Sequence, residues 1–222
     1  MNLSAMVDCS RNAVFNLPTL KKFVDYLSMM KYKALYLYIE DVYEIKDEPY
    51  FGHFRGRYSQ AELKELDSYC ISRGIELVPC IQTLAHLQGI FRWKKYQHIN
   101  DMNDILLCED DRTYELIEKM FKTIKQTFTS KRVHIGFDEA HNIGRGAYLD
   151  QKGYQSLHDI FLRHLIKVNN IALKYGYEVE MWSDMIFRFS NKGKYSNVGM
   201  NVETIQTNYI LHEGLIMLGI SL

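Results

Sequence analysis

Residues 133–141 read Val-His-Ile-Gly-Phe-Asp-Glu-Ala-His, an apolar run that ends in two adjacent carboxylates. The run Val133–Phe137 predicts a short buried strand. Side chains alternate between the two faces of a strand, so Asp138 shares a face with Gly136, whose missing side chain leaves space beside the carboxylate. Glu139 falls where the strand gives way to a loop. We therefore expect both carboxylates to converge there on one ligand.

Four other apolar runs, bounded by turn or polar residues, also predict strands: Leu3–Val7, Ala34–Ile39, Ile75–Ile81 and Val179–Trp182. Amphipathic segments of helical period separate the strands. One carries Pro18 in its first turn, and another begins with a capping box from Ser59 to Glu62 and stops at Gly74. Strands that alternate with helices predict an α/β fold with a parallel sheet.

Polar or charged residues follow the C-terminal end of every predicted strand: Asp8 and Arg11, Glu40 and Asp41, His86, Asp138 and Glu139, and Asp184. Barrel enzymes build their sites at that edge. The turn after the first strand lacks the glycine-rich phosphate loop typical of a doubly wound nucleotide-binding sheet. We therefore predict a TIM-type (β/α)8 barrel, with about five β/α units in this chain. The segment 41–58, rich in aromatic residues, is predicted to wall a cleft.

The composition of the chain does not favour charged partners. The 222 residues include 27 basic and 27 acidic side chains, so no net field favours nucleic acid or an anionic membrane, and a neutral partner or small substrate is expected. The four cysteines have no C-x-x-C spacing, and the N-terminus lacks the features of a signal peptide. We expect reduced thiols, a cytoplasmic location and no membrane-spanning segment.

Two kinds of chemistry suit the stretch from His134 to His141. Paired carboxylates are the usual equipment for cleaving glycosidic bonds. The alternative is a metal-dependent hydrolase, because His134, Asp138, Glu139 and His141 are all potential ligands. The two histidines lie seven residues apart across a strand-to-loop junction, and the chain has no H-E-x-x-H helix. We therefore expect neither a metal nor another cofactor.

The same stretch resembles the Gly-x-Asp-Glu motif of family 20 glycoside hydrolases, the β-N-acetylhexosaminidases, and in particular the branch of hexosaminidase D and related bacterial exo-hexosaminidases. Three other segments resemble motifs of that family in the same order, one per strand: Asp8–Arg11, Pro79–His86 and Met181–Met185. Tyr38 stands where many members of the wider family have histidine, and Gln82 where they often have an acidic residue. Both departures favour the hexosaminidase D-like branch.

The resemblance implies a substrate-assisted mechanism on terminal N-acetyl-β-hexosamine in glycans. Asp138 would stabilise the 2-acetamido group, and Glu139 would serve as general acid and base. The same resemblance implies a set of substrate-binding residues: Arg11, Asp41, His86, Trp182 and Asp184. Alternatives stay open for three of them, namely an ion pair to a rim acid for Arg11, core packing for Trp182, and a structural role for His86, which could otherwise pair with a catalytic carboxylate. The sequence also does not decide whether Glu40 or Asp41 faces the site.

The resemblance ends near Phe189. We therefore expect a partial barrel domain over residues 1–189 and a divergent tail over 190–222, without three further β/α units. A complete barrel takes ~250 residues or more, so strands six to eight are expected to be missing from the chain. An open edge would favour self-association. The alternative to an active enzyme is a sugar-binding remnant of the same family.

Overall fold

The computed structural model describes residues 3–11, 13–190 and 215–218. Its principal sheet has six strands, all parallel, in the order β1-β2-β3-β6-β7-β8. These strands are Ser4–Asp8 (β1), Ala34–Glu40 (β2), Glu76–Ile81 (β3), Arg132–His134 (β6), Glu178–Trp182 (β7) and Leu215–Leu218 (β8). A separate antiparallel pair is formed by Asn100–Met102 (β4) and Ile105–Leu106 (β5).

Helices connect successive strands of the sheet, as the sequence predicted. The longer ones are Leu17–Met29 (α1), Gln60–Ser72 (α2), Asp111–Thr127 (α4) and Leu157–Lys174 (α6). The shorter ones are Gln88–Phe91 (α3), a 3₁₀ helix at Lys94–Ile99, Ala147–Lys152 (α5) and Asp184–Ser190 (α7). Strands in sequential order joined by helices are the arrangement of a (β/α) barrel, so the predicted fold class is confirmed.

The ends of two helices follow from local sequence. Asn16 caps α1 by accepting the Thr19 N–H at 3.0 Å, and Pro18 lies in the first turn. Ser59 and Glu62 form the predicted capping box of α2. Gly74 ends that helix in the left-handed region at φ 70°, where the absence of a Cβ avoids strain.

One large hydrophobic core fills the space between the sheet and the helices. Its members come from the apolar stripes of α1, α2, α4 and α6 and from one face of the strands. Ile135 and Phe137, just beyond β6, are fully buried in it. A smaller cluster on the other face of β2 and β3 comprises Ala34, Tyr36, Tyr38, Val78 and Cys80. That face, which would point into a barrel, leads at its carboxyl edge to the polar residues considered next.

The sixth strand lies in a segment for which the sequence predicted none. Leu215–Leu218 pairs in parallel with β7, opposite Val179–Trp182. The predicted boundary at residue 189 stays a prediction, because residues 191–214 lie outside the described part of the chain. No helix among the described residues is both long and apolar enough to cross a bilayer.

Candidate active site

The carboxylate pair lies on a sharp turn after β6. The sequence predicted a strand through Phe137, but β6 ends at His134, since Gly136, Phe137 and Glu139 have φ angles of 79°, 73° and 52°. Residues with such left-handed backbone angles interrupt the alternation of side chains between the two faces of a strand. The backbone N–H of Gly136 donates to His134 Nδ1 at 3.1 Å, which holds the start of the turn. The turn gives the two carboxylates different surroundings.

Gly136 is required by a close approach as well as by its backbone angle. A Cβ at this position would lie 1.9 Å from Oε1 of Gln82. The sequence predicted free space here beside Asp138. The structure shows that the Gln82 amide occupies it, and that its Nε2 donates to Asp138 Oδ1 at 2.7 Å. Glycine therefore lets β3 place a hydrogen-bond donor against the carboxylate.

Asp138 is held by two donors in a mostly buried position. Gln82 bonds one carboxylate oxygen, and His86 Nε2 lies 3.0 Å from the other. Burial raises the pKa of Asp138, but the hydrogen bond and charge of His86, together with the Gln82 bond, lower it by more, so the net shift is downward. The structure therefore favours an ionised Asp138.

Glu139 points the other way. Its side chain is 65% exposed, compared with 16% for Asp138, and its Oε2 lies 3.7 Å from His86 Nε2. His86 thus faces both carboxylates, which agrees with the alternative that it pairs with a catalytic residue. The hydrogen bond to Asp138 raises the pKa of His86, against the opposing effect of burial.

Hydrogen bonds continue from Gln82 to the end of β2. Gln82 Nε2 also donates to the Tyr38 hydroxyl at 2.7 Å, and that hydroxyl donates to Glu40 Oε1 at 3.2 Å. Glu40 is only 1% exposed. Burial raises the pKa of Glu40, and Arg11, whose Nη1 lies 2.5 Å from the same carboxylate oxygen, opposes this shift only in part.

Arg11 closes the chain of contacts into a ring. Its Nη1 pairs with Glu40, and its Nη2 lies 3.4 Å from His86 Nδ1. We call the closed set the polar ring; its members are Asp138, Gln82, Tyr38, Glu40, Arg11 and His86. The ion pair that the sequence left open for Arg11 is therefore present. The side chain is nevertheless 57% exposed, which leaves donors free to meet a ligand.

A cavity of about 310 Å³ opens beside the polar ring. Its lining residues are Met6, Asp8, Arg11, Tyr38, Asp138 and Trp182. We call this cavity the candidate pocket. The half-buried Trp182 forms one wall, with its ring 4.7 Å from that of His134. Burial lowers the pKa of His134 to about 4, so the imidazole ring that packs on Trp182 is neutral near neutral pH.

Four predicted site residues lie outside the lining of the pocket, namely Glu139, His86, Asp41 and Asp184. Asp41 is 1% exposed and pairs with Arg55, with Nε to Oδ1 at 3.1 Å. The register of β2 shifts between Tyr38 and Glu40, and Glu40 has a φ of 42°, so Glu40 rather than Asp41 turns toward Arg11. Asp184 begins α7, and its Oδ2 accepts the Glu139 backbone N–H at 3.4 Å.

The potential metal ligands of the sequence motif do not converge. His134 packs on Trp182, and His141 Nδ1 lies 2.8 Å from Arg188 Nη1. Within residues 3–11 and 13–190, no three His, Cys, Asp or Glu side chains are grouped so as to hold a metal ion.

Gln82, Tyr38 and Arg55 were not predicted as site residues, whereas Glu40 was left open as the alternative to Asp41. Gln82 and Tyr38 could be recognised from sequence only as departures from a family pattern. Arg55 lies in the segment 41–58 and reaches Ser10 O at 2.5 Å and Glu40 Oε2 at 3.6 Å. It therefore ties that segment to the wall of the candidate pocket. No spacing in the sequence predicts this contact.

The chain is similar in sequence to known proteins. Residues 4–208 match the model for glycosyl hydrolase family 20, catalytic domain. A β-hexosaminidase of Akkermansia muciniphila is 28% identical over 169 residues, which cover 61% of this chain and 33% of that protein. Hexosaminidase D of Bos taurus is 24% identical over 153 residues, covering 62% of this chain and 44% of that protein.

A solved structure has the same fold. The family 20 exo-β-N-acetylglucosaminidase of Vibrio harveyi, solved with N-acetylglucosamine, superposes with a TM-score of 0.77 at 17% identity, covering 99% of this chain and 38% of that one. The chain spans less than half of the length of each of these relatives.

Proposed function

Because the chain belongs to glycosyl hydrolase family 20, we propose that it removes terminal non-reducing N-acetyl-β-D-hexosamine from glycans by substrate-assisted retaining catalysis. In such a reaction the carbonyl oxygen of the 2-acetamido group attacks the anomeric carbon. The glycosidic bond breaks, and an oxazolinium intermediate forms while the leaving oxygen takes a proton. Water then opens the intermediate with retention of configuration.

The observation that supports this proposal most is the contrast between Asp138 and Glu139. Asp138 is mostly buried, its pKa is lowered by contacts with His86 and Gln82, and it lines the candidate pocket. A carboxylate oxygen can accept more than one hydrogen bond, so Asp138 can still accept the acetamido N–H while it is bonded to Gln82 and His86. Its negative charge would stabilise the positive charge that develops on the acetamido nitrogen.

Glu139 supplies the proton transfers in this proposal. Its exposed side chain can reach a leaving oxygen at the mouth of the site and later accept a proton from the attacking water. Its backbone N–H donates to Asp184 Oδ2 at 3.4 Å, which holds the backbone of the residue while its side chain is exposed. Asp184 would act on the site through this contact in addition to its predicted contact with substrate.

Arg11 and Trp182 are the proposed sugar contacts. Arg11 offers the donors that its pairing with Glu40 leaves free, and Trp182 offers an apolar face to the sugar ring or the acetamido methyl group. We propose that His86 positions the catalytic carboxylates, and that Asp41 supports the site from behind through Arg55.

The alternative is a sugar-binding remnant without turnover. This chain spans 33% and 44% of the length of two relatives. Such a remnant would keep the candidate pocket and bind N-acetylhexosamine, but it would lack the walls that exclude water from the reaction.

Hydrolysis of a chromogenic aryl N-acetyl-β-glucosaminide tests the proposal, with chelator present throughout. The controls are Glu139→Gln and Glu115→Gln, since Glu115 is an exposed glutamate of α4 outside the site. Chelator-resistant hydrolysis that Glu139→Gln slows and Glu115→Gln leaves unchanged supports the proposal. Binding of N-acetylglucosamine without hydrolysis would support the remnant, and loss of activity on chelation would indicate a metal-dependent hydrolase.

A further inference from the structure

Four rings form a continuous aromatic surface on the loops beyond β2 and β3. Tyr50 stacks on Trp93 with centroids 5.0 Å apart, and His53 lies 5.3 Å from the same indole. Phe54 lies 3.9 Å from His53 and 6.2 Å from Trp93. We call these four residues the aromatic platform. Phe54 is 85% exposed and Tyr50 42% exposed, so the platform presents rings to solvent.

The platform is held rigidly rather than carried on a loose loop. Arg57 donates to the carbonyl oxygens of Pro49 and Phe51. Consecutive turns fix the intervening backbone, for example through Arg55 N–H to Gly52 O at 3.2 Å. A Cβ at residue 52 would lie 2.3 Å from Asp41 O, so glycine allows the loop to pack directly on the end of β2.

Phe54 contacts His53 and Trp93, but its backbone is strained. Its φ is 62°, in the left-handed region that carries a steric cost for a residue with a Cβ. With 85% of its surface exposed, it recovers little of that cost through burial. A strained and exposed apolar residue on a rigid loop is the feature expected of a binding surface.

The loop connects the platform to the candidate pocket. Arg55 directly follows Phe54, with Cα atoms about 3.8 Å apart. Its guanidinium reaches Ser10 O and the carboxylates of Glu40 and Asp41. Glu40 is itself paired with Arg11, which lines the pocket. The residue that follows Phe54 is therefore joined through Glu40 to Arg11 of the proposed sugar site.

A pyranose ring is the ligand that this surface and location fit. It has an apolar C–H face that stacks on aromatic rings and hydroxyls at its edge, and Tyr50 and His53 offer polar atoms beside the apolar rings. We propose that the aromatic platform binds a sugar of the glycan substrate beyond the N-acetylhexosamine held in the candidate pocket. This inference rests on the proposed function for the identity of the ligand, and it selects oligosaccharides over single sugars.

Calorimetry with two probes tests the proposal, namely N-acetylglucosamine and its β-linked trimer, in a Glu139→Gln background that slows hydrolysis. The trimer is expected to bind about tenfold more tightly than the monosaccharide, which corresponds to ~1.4 kcal/mol. Phe54→Gly is expected to remove most of that gain and to leave the monosaccharide affinity unchanged. Because glycine accepts a positive φ, the variant should melt at or above the temperature of its parent.

A matched control variant separates the effect of relieving backbone strain from the effect of losing the Phe54 ring. Lys31 is exposed and also has a positive φ, of 63°, but it lies beyond α1 and outside the platform. Lys31→Gly should affect melting in the same direction as Phe54→Gly and leave both affinities unchanged. Indole N–H signals give a second readout, because Trp93 and Trp182 are the only tryptophans. The trimer should shift the signal of Trp93, and the monosaccharide only that of Trp182.

The possible results distinguish this proposal from the proposed function. Trimer affinity that Phe54→Gly leaves intact would overturn the platform, even if hydrolysis occurs. A change in association state with unchanged trimer affinity would also overturn it and assign the surface to a protein contact. Trimer binding that depends on Phe54, without hydrolysis or binding of the monosaccharide, would support the platform while contradicting the proposed function. If neither sugar binds, both proposals fail.

Discussion

The Gln82 amide donates a hydrogen bond of 2.7 Å to Asp138 Oδ1 across 56 residues of sequence. This bond joins the ends of β3 and β6 and gives the buried carboxylate one of its two donors. It also depends on the glycine at position 136, because any side chain there would occupy the place of the amide. The orientation of Asp138 is thus determined by two residues that do not themselves perform chemistry.

Gly136→Ala is expected to damage the site more than the fold. The added Cβ would meet Gln82 Oε1 at 1.9 Å, and alanine at a φ of 79° is strained. We expect the Gln82 bond to break and kcat/KM to fall by about a hundredfold, with a loss of stability of roughly 1–3 kcal/mol. Steady-state kinetics and urea unfolding measure the two effects. Wild-type kinetics in a folded variant would contradict the assignment of Gln82 as a positioning residue.

Gln82→Glu removes a donor and places a carboxyl group beside Asp138. At neutral pH two carboxylates would face each other at hydrogen-bond distance, so the pKa of Asp138 should rise. We expect kcat/KM to fall by about tenfold or more near pH 7 and to recover partly at lower pH, where one protonated carboxyl can donate to the other. The measurement is the pH profile of kcat/KM, and an unchanged acid limb would contradict the prediction.

Two buried histidines should make the protein less stable in acid. Burial lowers the folded-state pKa values of His134 and His164 to about 4, compared with an ordinary value of 6.5 for an exposed histidine. Between these values the unfolded chain binds protons that the folded chain does not, so stability falls as the pH decreases. The loss is about 1.5 kcal/mol per histidine between pH 6.5 and 5.

The test is urea unfolding of the wild type and His134→Gln at several pH values. His86 acts in the opposite direction, since its raised pKa adds stability below 6.5 that is lost as the pH rises through the folded value. The difference between the two proteins removes this contribution. A pH dependence that is the same in both would show that His134 is not a neutral buried group.

Much of the fold could be predicted because it depends on local patterns. Five parallel strands and their intervening helices follow from apolar runs, periodic stripes and caps such as Ser59 with Glu62. The early end of β6 could not be predicted, since Gly136 and Phe137 leave the strand through left-handed angles that composition alone does not specify. The strand β8 lies in a tail without a clear pattern.

The site was predictable in its charged residues and not in the contacts among them. Asp138, Glu139 and His86 were recognised from the positions at which strands end, and the structure brings them together. The choice between Glu40 and Asp41 depends on a register shift in β2, and a one-residue shift exchanges the two faces of a strand. Contacts such as Tyr38 with Gln82 join residues that are distant in sequence, so no local pattern records them.

Leaving-group dependence tests whether Glu139 acts as the general acid. Values of kcat/KM would be compared for wild type and Glu139→Gln on an aryl N-acetyl-β-glucosaminide with an acidic phenol and on an alkyl N-acetyl-β-glucosaminide. We expect a loss on the order of 10²–10⁴-fold on the alkyl substrate, whose leaving oxygen needs a proton, and a much smaller loss on the aryl substrate, whose leaving oxygen does not. Equal losses on both substrates would contradict the role of Glu139 as general acid.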